Sequence, residues 1–137
     1  MVHALREASR VLTKSGILIN VRPLTAPLEV AVVTAAETVW AKTIQLFSAP
    51  EDVAAAETAA REAVSRGWFV LKMSQPFAFE IHCDTVDELR TYVEARKLRG
   101  DGIPYDALQK HQRKRSNGEA ARLRCRRPWM LSTYSKE

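Results

Sequence analysis

Between Trp68 and Cys83 the sequence alternates with a period of two. Phe69, Leu71, Met73, Phe77, Phe79, Ile81 and Cys83 take the odd positions, and Lys72, Ser74, Glu80 and His82 take even ones. Successive side chains of a strand point to opposite faces, so this pattern predicts one long strand with an apolar face and a polar face. A chain holding such a strand must build a sheet around it, and the apolar stripe is expected to be the domain core. Pro76 has no N–H to give to a ladder and predicts a bulge or a sheet edge within the run.

The segments around it supply helices and further strands. Val2 to Thr13 repeats apolar residues at helical spacing (Leu5, Ala8, Val11, Leu12), with Gly16 just beyond. Ile17 to Arg22 reads as a short strand, apolar on both faces, stopped by Pro23. Such strands are usually covered on both sides, as in a parallel sheet. Leu28 to Thr34 and Glu37 to Phe47 read as a strand pair turning at Ala35-Ala36. Ser48 to Glu51 forms a capping box that opens an alanine-rich helix ending at Gly67. A second box, Thr85 to Glu88, opens a helix to about Leu98. Pro104 starts another helix to about Arg115, and Ala121 to Tyr134 reads as a last strand interrupted by Pro128. At 137 residues the chain suits a single domain. The expected class is α+β: a mixed, mainly antiparallel sheet with helices packed on it.

Charge is concentrated in one segment. Lys110, Arg113, Lys114, Arg115, Arg122, Arg124, Arg126 and Arg127 face a single acid, Glu119, so residues 110–127 carry +7 of a total of +5 and the remainder carries −2. These eight residues are the candidate anion or nucleic-acid contacts, through phosphate attraction that is largely independent of sequence. The competing reading is a solvated strand face, on which arginines discourage strand addition. Only Trp129 and Tyr134 lie near enough to stack on bases.

Catalytic and metal constellations are sparse. His82, Cys83 and Asp84 are adjacent, yet His82 and Cys83 face opposite sides of a strand and cannot serve one another. Asp84 reads as part of a helix cap. Cys83 and Cys125 fall on apolar faces, where a free thiol behaves as a small hydrophobe. Glu80 and Glu88 are not brought together by spacing. No catalytic residue, cofactor-binding residue or metal ligand is therefore assigned. The first residues hold early charges and no long apolar run, and no stretch reaches the length of a membrane span. A cytoplasmic protein with reduced thiols and no membrane contact is expected. Trp40, Trp68 and Trp129 read as core or interface anchors.

The stretch from His3 to Pro23 carries a resemblance. A helix leads into Leu12-Thr13-Lys14-Ser15-Gly16 and then the apolar strand Ile17-Leu18-Ile19-Asn20-Val21. This is similar to the class I S-adenosylmethionine-dependent methyltransferases, in the part that enters their fifth sheet strand through a Leu-Lys-Pro-Gly-Gly type of turn. Ser15 and Gly16 stand in place of the glycine pair. The rest of the chain resembles the C-terminal half of that Rossmann-like fold: a helix, then a long antiparallel strand pair at the sheet edge. In that family the donor is held by the N-terminal half, through a glycine-rich loop and an acid ending the second strand. Here the only Gly-X-Gly is Gly100-Asp101-Gly102, which sits between two helices and reads as a turn.

The resemblance thus implies a truncated methyltransferase-like domain without methyl transfer of its own. No cofactor is expected, and S-adenosylmethionine only if the missing half is supplied. The missing neighbours would leave an open edge and an uncovered apolar face on the Ile17–Arg22 strand. A homodimer through the helix–strand edge of residues 1–22 is expected, or pairing with a separate methyltransferase N-terminal half. A small basic nucleic-acid-binding protein is the second reading.

Overall fold

The computed structural model describes residues 2–45, 50–95, 102–114 and 120–136. Its elements in chain order are α1 (Val2–Val11), β1 (Ile17–Pro23), β2 (Leu28–Val33), β3 (Thr38–Ile44), α2 (Pro50–Ser65), β4 (Val70–Cys83), α3 (Val86–Ala95), α4 (Tyr105–Lys114) and β5 (Arg122–Ser135). The class is α+β, with a five-stranded, mainly antiparallel sheet. The chain condenses into two compact units. The first holds Met1–Thr25, Ala49–Phe77 and Trp129–Glu137, and the second Ala26–Ser48 and Ala78–Pro128. The long strands β4 and β5 therefore each contribute residues to both.

In the first unit β1 runs antiparallel to β5, from Ile17 opposite Ser135 to Pro23 opposite Trp129. β5 also pairs with β4, and the Ser74 and Ser132 hydroxyls meet at 3.0 Å across that pair. On β1 and β5 the even-numbered side chains are the covered ones. Leu18 and Tyr134 join Leu5 and Ala8 of α1, Leu12 just past its end, and Ala60 and Ala63 of α2 around Phe69. The α1–β1 turn is tight. Ser15 takes a positive φ of 65°, and a Cβ on Gly16 would sit 2.8 Å from the Thr13 carbonyl. The position that the resemblance gives to a first glycine is thus the left-handed one, filled here by serine. Lys136 donates from Nζ to the Leu12 carbonyl at 2.7 Å, a cation on a helix C-terminus. Helix α2 ends as its glycine predicts. Gly67 has φ 71°, Gly67 N–H donates to Val64 and Trp68 N–H to Ala63, which is a Schellman motif.

In the second unit β2 and β3 form the expected hairpin, with Leu28 opposite Ile44 and Val32 opposite Trp40. The Thr34 hydroxyl accepts from the Ala36 and Glu37 amides and holds the turn that the Ala35-Ala36 pair alone would specify poorly. β2 pairs antiparallel with β5, Val30 opposite Cys125 and Val32 opposite Leu123. These four residues are buried, and Val86, Leu89 and Val93 of α3 and Leu108 of α4 pack with them. Helix α3 is capped by Thr85, whose hydroxyl accepts from Glu88 N–H at 3.1 Å. The Glu88 carboxylate reaches back at 2.7 Å, to the Asp84 amide rather than to that of Thr85. Gln112 of α4 donates from one amide nitrogen to the Asp84 and Ala121 carbonyls, tying the helix to the end of β4 and the start of β5. The Ser48 capping box, the end of the α3 segment beyond Ala95 and the Gly100-Asp101 turn lie outside the described residues.

Two expectations fail on which faces are covered. The alternating stripe of β4 is not a core along its length. Cys83 is buried and Ile81 half-buried, but Leu71, Met73, Phe77 and Phe79 are exposed. Alternation fixes which side chains share a face, while helices placed elsewhere in the sequence decide which face is covered. In the first unit they cover the even side chains of β1 and β5, and β4 stays exposed on both faces from Leu71 to Phe77. For the same reason β1 is not covered on both sides. It pairs antiparallel, and Ile17 and Ile19 remain 65% and 63% exposed.

Candidate interaction surfaces

The arginines of β5 alternate with Leu123 and Cys125, so Arg122, Arg124 and Arg126 share the face of the second unit opposite its buried core. Each meets an acid from a neighbouring strand or strand end. Arg122 Nε lies 2.6 Å from Asp84 Oδ1, Arg124 Nη2 2.8 Å from Glu29 Oε1 and Arg126 Nε 3.3 Å from Glu80 Oε1. His82 Nε2 stands 3.7 Å from the other Glu80 oxygen. The result is a ladder of three guanidiniums against three carboxylates. Its net charge is near zero, although the segment supplying the arginines is strongly basic. The Arg126 and Arg122 pairs are solvated and worth little. The Arg124 side chain is only 20% exposed, so its partner matters more.

The other basic candidates do not join this ladder. Arg127 points to the opposite face of β5, and burial lowers the pKa of its guanidinium. Lys110 and Arg113 lie on α4. Arg113 lines a shallow groove of about 340 Å³ with Asp84, Thr85, Asp87, Gln109 and Gln112. The carboxylates of that groove offset its one cation. The Lys114 side chain and Arg115 lie outside the described residues. The six described candidates are thus divided between a neutralised strand face (Arg122, Arg124, Arg126), a helix (Lys110, Arg113) and a half-buried position (Arg127).

The second surface is the bare face of the first unit. Its odd positions bring together Ile17, Ile19 and Val21 of β1 with Leu71, Met73 and Phe77 of β4, all exposed. Between them run the half-buried Trp129, Leu131 and Thr133 of β5. The sequence does show the β1 contribution, as a strand apolar on both faces. It does not show that the β4 stripe joins it. The edge signal at Pro76 was the available hint.

Chemical groups on the described residues are quiet. No cluster of three or more His, Cys, Asp or Glu side chains is arranged to hold a metal among them. Both cysteines are buried and unpaired. Burial pushes the Cys125 thiol up to about 12, and burial, then Glu88 and Asp84, raise that of Cys83. Both thiols are held in the neutral, unreactive form. His82 and Cys83 do face opposite ways: His82 lies beside Glu80 on the ionic face while Cys83 is in the core. Glu88 is occupied as a cap. Comparison with protein-family models, curated proteins and solved structures finds no match for the chain.

Proposed function

We propose that these residues form an interaction module with the plan of a methyltransferase C-terminal half, without methyl transfer of its own. The observation that carries this reading is the bare apolar face of the first unit. The open outer edge of β1, which pairs with β5 alone among the described strands, supports it. Two further features agree. The α1–β1 segment makes the tight turn at Ser15-Gly16 that the resemblance implies, and β4 and β5 form a long strand pair. The module would receive a second copy of the chain or a separate cofactor-binding half. The reading places it in the cytoplasm, where two buried thiols stay reduced. No described helix is long and apolar enough to cross a membrane.

Calorimetry with S-adenosylmethionine tests the reading. The expected result is no heat of binding at millimolar donor. Micromolar binding would overturn it and imply a donor site made by these residues. The nucleic-acid reading loses ground because Arg122, Arg124 and Arg126 already have carboxylate partners. A salt titration against a random duplex checks this, with weak binding expected even at low salt.

A further inference from the structure

We propose that the bare face of the first unit is a homodimer interface, on which two copies pack sheet against sheet about a twofold axis. This deepens the interaction-module reading and rests on it. It also moves the expected contact from the helix–strand edge of residues 1–22 to a face shared by β1, β5 and β4.

Area makes the first argument. Ile17, Ile19, Val21, Leu71, Met73 and Phe77 are each between 36% and 65% exposed. Together they leave on the order of 600 Å² of apolar side chain in water, at the upper end of what a monomer carries as one patch. Closing two such faces on each other buries roughly 1,200 Å², which reaches the size of a specific interface. Half-buried Trp129 and Leu131 add to this from the middle strand, and an aromatic near the centre of a patch is the usual anchor.

Charge makes the second. None of the odd positions from Ile17 to Pro23, from Leu71 to Phe77 or from Trp129 to Ser135 is ionisable. A chain of net charge +5 repels its own copy wherever like charges meet, and an isologous contact sets identical patches against each other. This face carries no charge at its odd positions and so escapes that penalty. It also offers no cation to nucleic acid and no charge to a charged peptide. Its strands lack the inward lysines that usually protect a bare sheet from self-association. Two such faces can pack at about 10 Å with their side chains interleaved, as in a sandwich.

Sedimentation equilibrium of the full chain tests the proposal. At about 20 μM the expected mass is twice 15.4 kDa. Ile19→Lys and Met73→Glu, each placing a charge on the twofold face, should weaken the dimer at least about 100-fold while keeping the far-UV circular dichroism of the wild type. Glu80→Gln, on the ionic face of the second unit, should leave the mass unchanged. A wild-type mass of 15.4 kDa at 100 μM overturns the proposal, whatever the variants do. So does a folded Ile19→Lys that remains dimeric. A monomer that gives no heat with S-adenosylmethionine removes the second copy and leaves the module reading in place. Micromolar donor binding removes the module reading instead. A monomer that binds a separately produced cofactor-binding half assigns the face to that partner.

Discussion

Each unit leaves one sheet face without helices, and the two faces solve that problem in opposite ways. In the second unit the bare face is a ladder of Arg122, Arg124 and Arg126 against Asp84, Glu29 and Glu80, which water solvates at its Arg122 and Arg126 ends and carboxylate pairing satisfies at Arg124. In the first unit the bare face is aliphatic and aromatic, and water cannot satisfy it. One face is charged and paired, and the other leaves apolar side chains in water. Four measurements bear on that contrast, apart from the sedimentation experiment.

The largest effect expected is chemical. Cys125 lies under the helices of the second unit, and a cysteine placed one strand away on the ionic face by His82→Cys does not. At pH 8 the thiol-specific alkylation of Cys125 should be about a thousand-fold slower, since a pKa raised from 9.0 to about 12 depletes the thiolate by that factor. Equal rates would show that the helix-covered face is not dry. The same burial has a pH consequence. The neutral thiol is the folded form, so its contribution is complete below about pH 9 and is lost as pH rises toward about 12.

Next is the contrast between covered and bare apolar positions. Leu123→Ala, in the core of the second unit at 1% exposure, should cost about 3 kcal/mol in urea unfolding. Leu71→Ala, on the bare face of the first unit, should cost under about 1 kcal/mol when unfolding is followed at a concentration too low for association. A Leu71→Ala cost as large as that of Leu123→Ala would mean that the face is already covered within one chain.

The ladder supplies the smaller effects. Glu29→Gln leaves the largely buried Arg124 without its carboxylate and should cost about 1–2 kcal/mol. Asp84→Asn breaks a pair that is more than half exposed on both sides. It should cost no more than about 0.5 kcal/mol, a difference that 1 M salt should erase. If Asp84→Asn proves the costlier change, the ladder is held at its solvated end and not at Arg124.

Much of the local structure was legible in the residues. The helix and turn before Ile17, the Gly67 cap, the Thr85 cap and the turn between β2 and β3 are each decided within a few positions. The alternation of Arg122, Arg124 and Arg126 with Leu123 and Cys125 likewise gave the right two faces. What was not legible was the covering. Whether β4 lies under helices depends on where α1 and α2 dock, which is nonlocal, and from Leu71 to Phe77 both of its faces stay exposed. In β5 the buried side chains change from odd (Leu123, Cys125) to even (Ser132, Tyr134) on passing Pro128. The sequence there stops alternating, because Trp129, Met130 and Leu131 are apolar on both faces. The neutralisation of the arginines was equally hidden. Glu29 lies far from Arg124 along the chain, and charge counted by segment cannot see a partner brought in by strand pairing.

The place of β5 also bears on the order of events during synthesis. It pairs with β1, β2 and β4, and its residues stand in both cores. Neither unit can complete its sheet before residues 122–135 leave the ribosome. Until then β1 and the β2–β3 hairpin wait with their β5-facing edges unpaired. Pairings as distant as Ile17 with Ser135 also make folding slow. The nascent chain therefore carries its apolar strands unprotected until β5 emerges, the interval in which a holding chaperone would matter most.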